Sequence, residues 1–147
     1  MNNIKNKPGK ILEQSVINGD IELIKKVFEN ASFISYNDKN NAMWYACQYN
    51  KYDIVKLLNN YGIKINMEVA ANKGYIDILK LALDKGQTFL ETDILKSGIN
   101  GGQIESVKFI FENYDIDKID NLIIIEHIIK LTNEVPKNRY VDDRSPL

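Results

Sequence analysis

Cysteine, histidine and proline are scarce in this chain of 147 residues. A single cysteine, Cys47, and a single histidine, His127, exclude both a disulfide framework and a zinc site built from cysteine and histidine ligands. We therefore expect no metal and no cofactor. The three prolines stand at positions 8, 136 and 146, so the long interior contains no residue that forces a helix to end.

An excess of charge of one sign and a long apolar run are also missing. The chain has 19 basic and 20 acidic side chains and a net charge of −1. General nucleic-acid binders need a basic surface that releases phosphate counterions, so we expect no nucleic-acid partner. No apolar run approaches the roughly 18 residues of a membrane span, and residues 1–10 are too polar for a secretory signal. We therefore predict a single soluble domain in the cytoplasm, without a membrane partner.

Four similar segments recur along the chain, at residues 18–25, 50–56, 73–80 and 101–108. Each has an acidic residue three positions before a lysine, and apolar residues follow. The intervals between the acidic residues are 31, 24 and 28 residues; these residues are Glu22, Asp53, Asp77 and Glu105. Four recurrences of one pattern predict a repeat architecture.

Each unit reads as a helix, a tight turn and a second helix. In the second helix apolar residues recur at helical spacing, as in Ile54, Val55 and Leu58. Its acid and the lysine three residues later predict an ion pair on the exposed face. The turn holds a residue that readily adopts the positive φ needed past a helix end. These turn residues are Gly19, Asn50, Gly74 and Gly102.

A helix pair this short cannot bury its apolar stripe alone. Stacking neighbouring pairs side by side buries that stripe. The predicted fold is therefore all-α, a helix-turn-helix repeat solenoid.

The second unit resembles the ankyrin repeat. Ala46 and Cys47 occupy the paired small positions that let inner helices pack closely, and the segment 53–58 and Gly62 follow in the family's order. The resemblance covers about residues 10–131. It implies about four ankyrin-like repeats closed by a C-terminal capping helix.

The resemblance also implies boundaries. It places a repeat domain at about 10–132, while the polar composition of the ends predicts a lead-in at residues 1–9 and a flexible tail at 133–147. The repeats fall at 10–38, 39–64, 65–90 and 91–116, with the capping helix at 119–132.

The units depart from the family pattern in two ways. They are shorter than the family period of about 33 residues, and none has the family's threonine-proline pair or its histidine. The histidine position holds Glu13, Trp44, Glu68 and Lys96 instead. Such short units, in a chain with 22 Ile, 18 Asn and 17 Lys, resemble ankyrin proteins of large DNA viruses and of organisms with AT-rich genomes. That resemblance implies a factor that binds or blocks a host protein in the host cytoplasm.

No set of residues predicts catalysis. Glu126 points about 100° away from His127 on a helix, which suits an acid–base pair poorly, and we interpret His127 as a packed or surface residue. Cys47 is interpreted as a buried structural thiol. The Gly101-Gly102 pair lacks a phosphate-loop frame, and the acidic cluster of Asp115, Asp117 and Asp120 lacks the glycine and terminal glutamate of a calcium loop.

The resemblance implies instead a protein partner that binds to the inner helices and the loops between repeats. Tryptophan and tyrosine supply much of the energy at such surfaces. The predicted contact residues, four from the preceding loop and four from the inner helix of the second unit, are Phe33, Tyr36, Asn37, Asp38, Trp44, Tyr45, Gln48 and Tyr49. We expect Tyr45 and Tyr49 to be exposed, whereas Trp44 could equally fill the space of the missing histidine.

The leading hypothesis is therefore a non-enzymatic, monomeric protein–protein interaction module. The alternative is a small helical ligand-binding or enzymatic domain that only imitates a repeat array. That alternative requires a closed pocket with convergent polar groups, which an open solenoid lacks.

Overall fold

The computed structural model describes residues 7–115 and 121–134. Within these residues the chain forms nine α-helices and no strand, which confirms the predicted all-α class. The helices are α1 Pro8–Asn18, α2 Ile21–Asn30, α3 Tyr36–Gln48, α4 Tyr52–Asn60, α5 Met67–Lys73, α6 Ile76–Asp84, α7 Glu91–Asn100, α8 Ile104–Asn113 and α9 Asn121–Glu134.

The helices are arranged in two rows. Helices α1, α3, α5, α7 and α9 pack side by side as an inner row. Helices α2, α4, α6 and α8 form an outer row, and each packs against the inner helix that precedes it. This arrangement is an ankyrin-like helical repeat array, as the repeat pattern predicts.

The turn inside each helix pair has the backbone conformation that the sequence predicts. Gly19, Gly74 and Gly102 have φ values of +73°, +77° and +65°, and Asn50 has a φ of +53°. Among the described residues, Asn50 is the one non-glycine residue with a positive φ. Asparagine tolerates this region better than most other residues, so the second pair can turn without a glycine.

The core lies between the two rows. The inner helices contribute buried residues at helical spacing, as with Met43, Ala46 and Cys47 in α3, each at most 1% exposed. The outer helices contribute branched residues such as Val55 and Leu58. Aliphatic burial of this kind stabilises each pair against its neighbours.

Side chains also bond to the backbone of distant loops and helices. The Gln87 amide accepts a hydrogen bond from the Ile65 N–H and donates one to the Ile65 carbonyl, both at 2.8 Å. The buried Ser106 hydroxyl donates to the Ala71 carbonyl at 2.7 Å. These bonds hold the short loops and turns in register where the units are too short for a full hairpin between repeats.

Two of the four predicted acid–lysine pairs form ion pairs. The Glu22 Oε1 atom lies 3.8 Å from the Lys25 Nζ atom, and the Glu105 Oε1 atom lies 3.5 Å from the Lys108 Nζ atom. The units that carry an aspartate form no such pair within the described residues, and the aspartate side chain is shorter by one methylene. All four charges of the two pairs are exposed, so each pair contributes only a few tenths of a kcal/mol.

The ends of the array can be compared with the predicted boundaries only in part. Helix α1 begins at Pro8, two residues before the predicted repeat domain, because the fixed φ of proline suits the first helical turn. Helix α9 overlaps the predicted capping helix and packs against α7. Residues 1–6 of the predicted lead-in and residues 135–147 of the predicted tail lie outside the described residues.

Candidate interaction surface

Three aromatic residues at the C-terminal end of α3 contact one another. Trp44 and Tyr45 meet edge to face, with ring centroids 5.1 Å apart and an interplanar angle of 89°. Tyr45 and Tyr49 are nearly parallel, with centroids 6.1 Å apart. We call these three residues the aromatic surface.

The helical period explains which of these rings solvent can reach. Met43, Ala46 and Cys47 face the core, so the residues between and after them point away from it. Trp44 is 40% exposed and Tyr49 is 55% exposed. Tyr45 is half-buried and packs partly against the core, so it is less exposed than expected, while Trp44 lies on the surface.

Glu13 of α1 sets the electrostatics beside Tyr45. The negative charge of Glu13, with smaller contributions from burial and from a hydrogen bond to the Glu13 carboxylate, raises the pKa of the Tyr45 hydroxyl. A carboxylate therefore lies against one side of the aromatic surface. Gln48 is half-buried, and its backbone carbonyl accepts a hydrogen bond from the Tyr75 hydroxyl at 3.3 Å.

The other predicted contact residues lie near the opposite end of α3. Phe33 in the preceding loop is 74% exposed and Tyr36 is 78% exposed. Asn37 and Asp38 are wrongly predicted as loop residues, as is Tyr36, because α3 already begins at Tyr36. The Ser35 hydroxyl caps the helix by accepting a hydrogen bond from the Asp38 N–H at 3.1 Å, which starts the helix one turn before the core-facing residues.

The structure thus divides the predicted contact residues into two groups. Trp44 stands eight positions after Tyr36 in α3, which corresponds to about 12 Å along the helix axis. Trp44, Tyr45, Gln48 and Tyr49 lie together, whereas Phe33, Tyr36, Asn37 and Asp38 lie near the loops. A single large partner could cover both groups, but a small ligand could not.

A groove at the loop end of the array was not predicted. It has a volume of about 460 Å³ and runs from Tyr36 past the loops that hold Ile65 and Gln87 to Phe89 and Leu90. Leu90 is 66% exposed. The apolar pair Phe89-Leu90 in a loop was the available signal, but its position beside Tyr36 depends on how the repeats stack.

A second cleft lies at the C-terminal end of the array. It has a volume of about 330 Å³ and is lined by apolar residues of α7, α8 and α9. Ile104 and Phe111 of α8 are 69% and 37% exposed there, and Ile128 of α9 also lines it.

The residues considered for catalysis are not brought together. Cys47 has no exposed surface, and burial raises the pKa of its thiol to about 11. His127 is half-buried on α9, at the far end of the array from Cys47 on α3. Asp115 is exposed, while Asp117 and Asp120 of the predicted acidic cluster lie outside the described residues.

No group of three or more His, Cys, Asp or Glu side chains in residues 7–115 and 121–134 is placed to hold a metal ion. None of the helices in the described part of the chain combines the length and the hydropathy needed to cross a bilayer.

Residues 38–67 match the ankyrin repeat family. This match spans most of α3, the whole of α4 and the start of α5, and it confirms the resemblance of the second unit. The other helix pairs share its positive-φ turn and its buried positions. No curated protein and no solved structure is significantly similar to this chain. Ankyrin repeats are in general protein-interaction modules, and residues 38–67 are similar to one of them.

Proposed function

We propose that this protein is a non-enzymatic interaction module that binds a protein partner through the aromatic surface of α3. The observation that carries the proposal is the exposure of Trp44 and Tyr49 on an inner helix of the matched repeat. Tryptophan and tyrosine are enriched among the residues that dominate binding energy, because they offer large contact areas with few rotatable bonds. A core position would not leave half of a tyrosine ring in water.

The rigidity of the surface supports the same proposal. Tyr45 is half-buried and contacts both Trp44 and Tyr49. The negative charge of Glu13, on the neighbouring helix α1, raises the pKa of its hydroxyl. Rings that are already ordered lose little side-chain entropy when a partner binds. Phe33 and Tyr36 extend the proposed contact toward the loops.

The non-enzymatic part of the proposal is supported by the state of the thiol. A cysteine nucleophile needs access to substrate and a lowered pKa, whereas Cys47 is fully buried and the pKa of its thiol is raised to about 11. We propose that Cys47 serves only the packing of α3.

We further propose that the module works as a monomer inside a host cell, as a viral factor that recruits or blocks a host protein. The support is the composition, with 22 Ile, 18 Asn and 17 Lys, together with the shortened ankyrin-like units. Light scattering of the purified chain tests the monomeric state, and a stable dimer would contradict it. Capture from host-cell extract, described next, tests the target class.

The decisive experiment compares partner capture by matched variants. The wild-type chain, the double variant Trp44→Ala/Tyr49→Ala and the control Tyr52→Ala are immobilised and exposed to cell extract. Tyr52 is 38% exposed at the start of the outer helix α4. The control substitution Tyr52→Ala therefore removes a similar aromatic ring from the opposite row of helices. We leave Tyr45 unchanged because it packs against the core.

We expect quantitative mass spectrometry to find proteins that the wild type and Tyr52→Ala retain and the double variant loses. Circular dichroism should show equal helicity in all three chains. If the double variant captures the same proteins at undiminished yield, the proposed surface is wrong.

A further inference from the structure

Equivalent residues of the stacked inner helices form a row across the array. Each stands six residues before the positive-φ turn of its repeat, so stacking aligns them. Because α3 packs between α1 and α5, the positions equivalent to Trp44 on the two neighbouring helices are both glutamates. The row, in order, is Glu13, Trp44, Glu68 and Lys96.

The two carboxylates beside Trp44 are not neutralised by ion pairs. Neither Glu13 nor Glu68 lies within 4.0 Å of a basic nitrogen of any residue that the structure describes. Glu13 is half-buried, and its negative charge raises the pKa of the neighbouring Tyr45 hydroxyl, whereas Glu68 is exposed. Adjacent packed helices are about 8–10 Å apart, so one partner side chain over Trp44 is within reach of both.

Lysines surround this region but do not cover it. Lys10 lies one turn before Glu13 on α1, and Lys64 borders the same groove as Glu68. Lys73 occupies in α5 the position that Tyr49 occupies in α3. Lys51 lies at the turn end, where its Nζ is 3.7 Å from the position of a Cβ on Gly19. The two row positions on either side of Trp44 are glutamates, and Lys96 stands one helix further along.

The chemistry of this site favours one kind of side chain. A cation over the face of an aromatic ring is attracted by the ring quadrupole, most strongly at tryptophan. A guanidinium group is planar, stacks on such rings and carries five N–H donors that suit carboxylates. Lysine offers a compact, strongly hydrated charge that stacks less well.

We propose that the surface around Trp44 binds an arginine side chain of the partner protein, with the guanidinium stacked on Trp44 and bonded to Glu13 and Glu68. The inference rests on the proposed function and specifies the chemistry of the partner. Its source is an arginine-bearing loop or tail of a protein.

Trp44 is the single tryptophan of the chain, so its fluorescence reports on this site directly. Short glycine-rich peptides carrying a central arginine, lysine or citrulline are titrated into the full chain at constant ionic strength. Citrulline keeps the shape of arginine without its charge. The variants are Glu13→Gln and Glu68→Gln, and the control is Glu105→Gln, which removes an exposed carboxylate from the outer helix α8.

We expect a saturable change in Trp44 fluorescence with the arginine peptide, a weaker one with lysine and none with citrulline. Each glutamine variant at Glu13 or Glu68 should raise the dissociation constant by about 1.5- to fivefold, the range of an exposed charge pair. Glu105→Gln should leave it unchanged.

Several results would overturn the proposal. They are equal responses to arginine and citrulline, lysine binding as tightly as arginine, no response to any peptide, or unchanged affinity in both glutamine variants. These outcomes are separable from failure of the proposed function. If the Trp44→Ala/Tyr49→Ala variant loses captured proteins but the arginine peptide does not change Trp44 fluorescence, the proposed surface is supported and the arginine assignment is wrong. If capture is unaffected, the surface itself is wrong.

Discussion

Gly101, the residue that follows α7, lies against the backbone of α5. A Cβ added there would overlap the carbonyl oxygen of Asn72 on α5 and would lie 2.9 Å from the Asn72 Cα. Asn72 is held in place, because its side-chain amide donates to the Ser97 carbonyl on α7 at 3.3 Å. The obstruction is backbone, which cannot swing aside as a side chain could. We therefore predict that Gly101→Ala destabilises the array.

The expected change in stability has the opposite sign to the change that the backbone conformation of Gly101 alone predicts. Gly101 has φ −81° and ψ −3°, which alanine adopts without strain, and such replacements ordinarily stabilise by about 0.4–1 kcal/mol. Forcing an extra methyl group into a packed contact costs about 1–3 kcal/mol. The steric effect is the larger, so we expect a net loss of about 1–2 kcal/mol.

Gly102→Ala provides the complementary control. Gly102 has a φ of +65° and no neighbour within 4 Å of an added Cβ, so its cost is conformational alone, about 1–2 kcal/mol. Gly86, with a φ of +68° and equally open surroundings, should behave as Gly102 does. The two classes of glycine thus separate steric from conformational effects.

Urea unfolding followed by circular dichroism measures all three variants. A Gly101→Ala chain as stable as the wild type, or more stable, would refute the close approach of α5 and α7. A loss in Gly101→Ala with none in Gly102→Ala and Gly86→Ala would refute the conformational argument instead.

Three further predictions concern single side chains. Gln87→Ala should lower the free energy of unfolding in urea by about 1–3 kcal/mol, because it removes both hydrogen bonds to Ile65. Substitution of the neighbouring exposed Thr88 by alanine should leave the stability unchanged, and equal losses in the two variants would contradict the reasoning. Tyr114→Phe should stabilise the chain by about 1 kcal/mol in the same assay, because the buried Tyr114 hydroxyl has no hydrogen-bond partner among the described residues. Burial raises the pKa of this hydroxyl, and the negative charge of Glu91 raises it further. A loss of stability would show that the hydroxyl is bonded. Finally, Cys47 should be alkylated at pH 8 at least about a hundredfold more slowly in the native chain than in urea. The reason is that raising the thiol pKa from 9.0 to about 11 lowers the thiolate fraction by that factor. Mass spectrometry measures both alkylation rates, and equal rates would place the thiol in solvent.

The helix pairs and their turns could be predicted from sequence because their causes are local. Apolar periodicity defines a helix face within a few residues. The positive φ of Gly19, Asn50, Gly74 and Gly102 follows from which residues tolerate that backbone region. The start of α3 was locally encoded too, in the Ser35 cap and the acid at Asp38, but the ankyrin resemblance led to a loop there.

The surface depended on tertiary structure. The separation between Gln87 and Ile65 is 22 residues, and between Ser106 and Ala71 it is 35, so only tertiary packing brings these groups within bonding distance. The same holds for Glu13 beside Tyr45, and for Trp44, whose residue type suits a filled core and an exposed contact equally well. Sequence alone determined the repeating unit, because its periodicity and turns are properties of adjacent residues. The distance between neighbouring repeats decided which side chains meet and which remain in water, because packing between distant segments sets that distance.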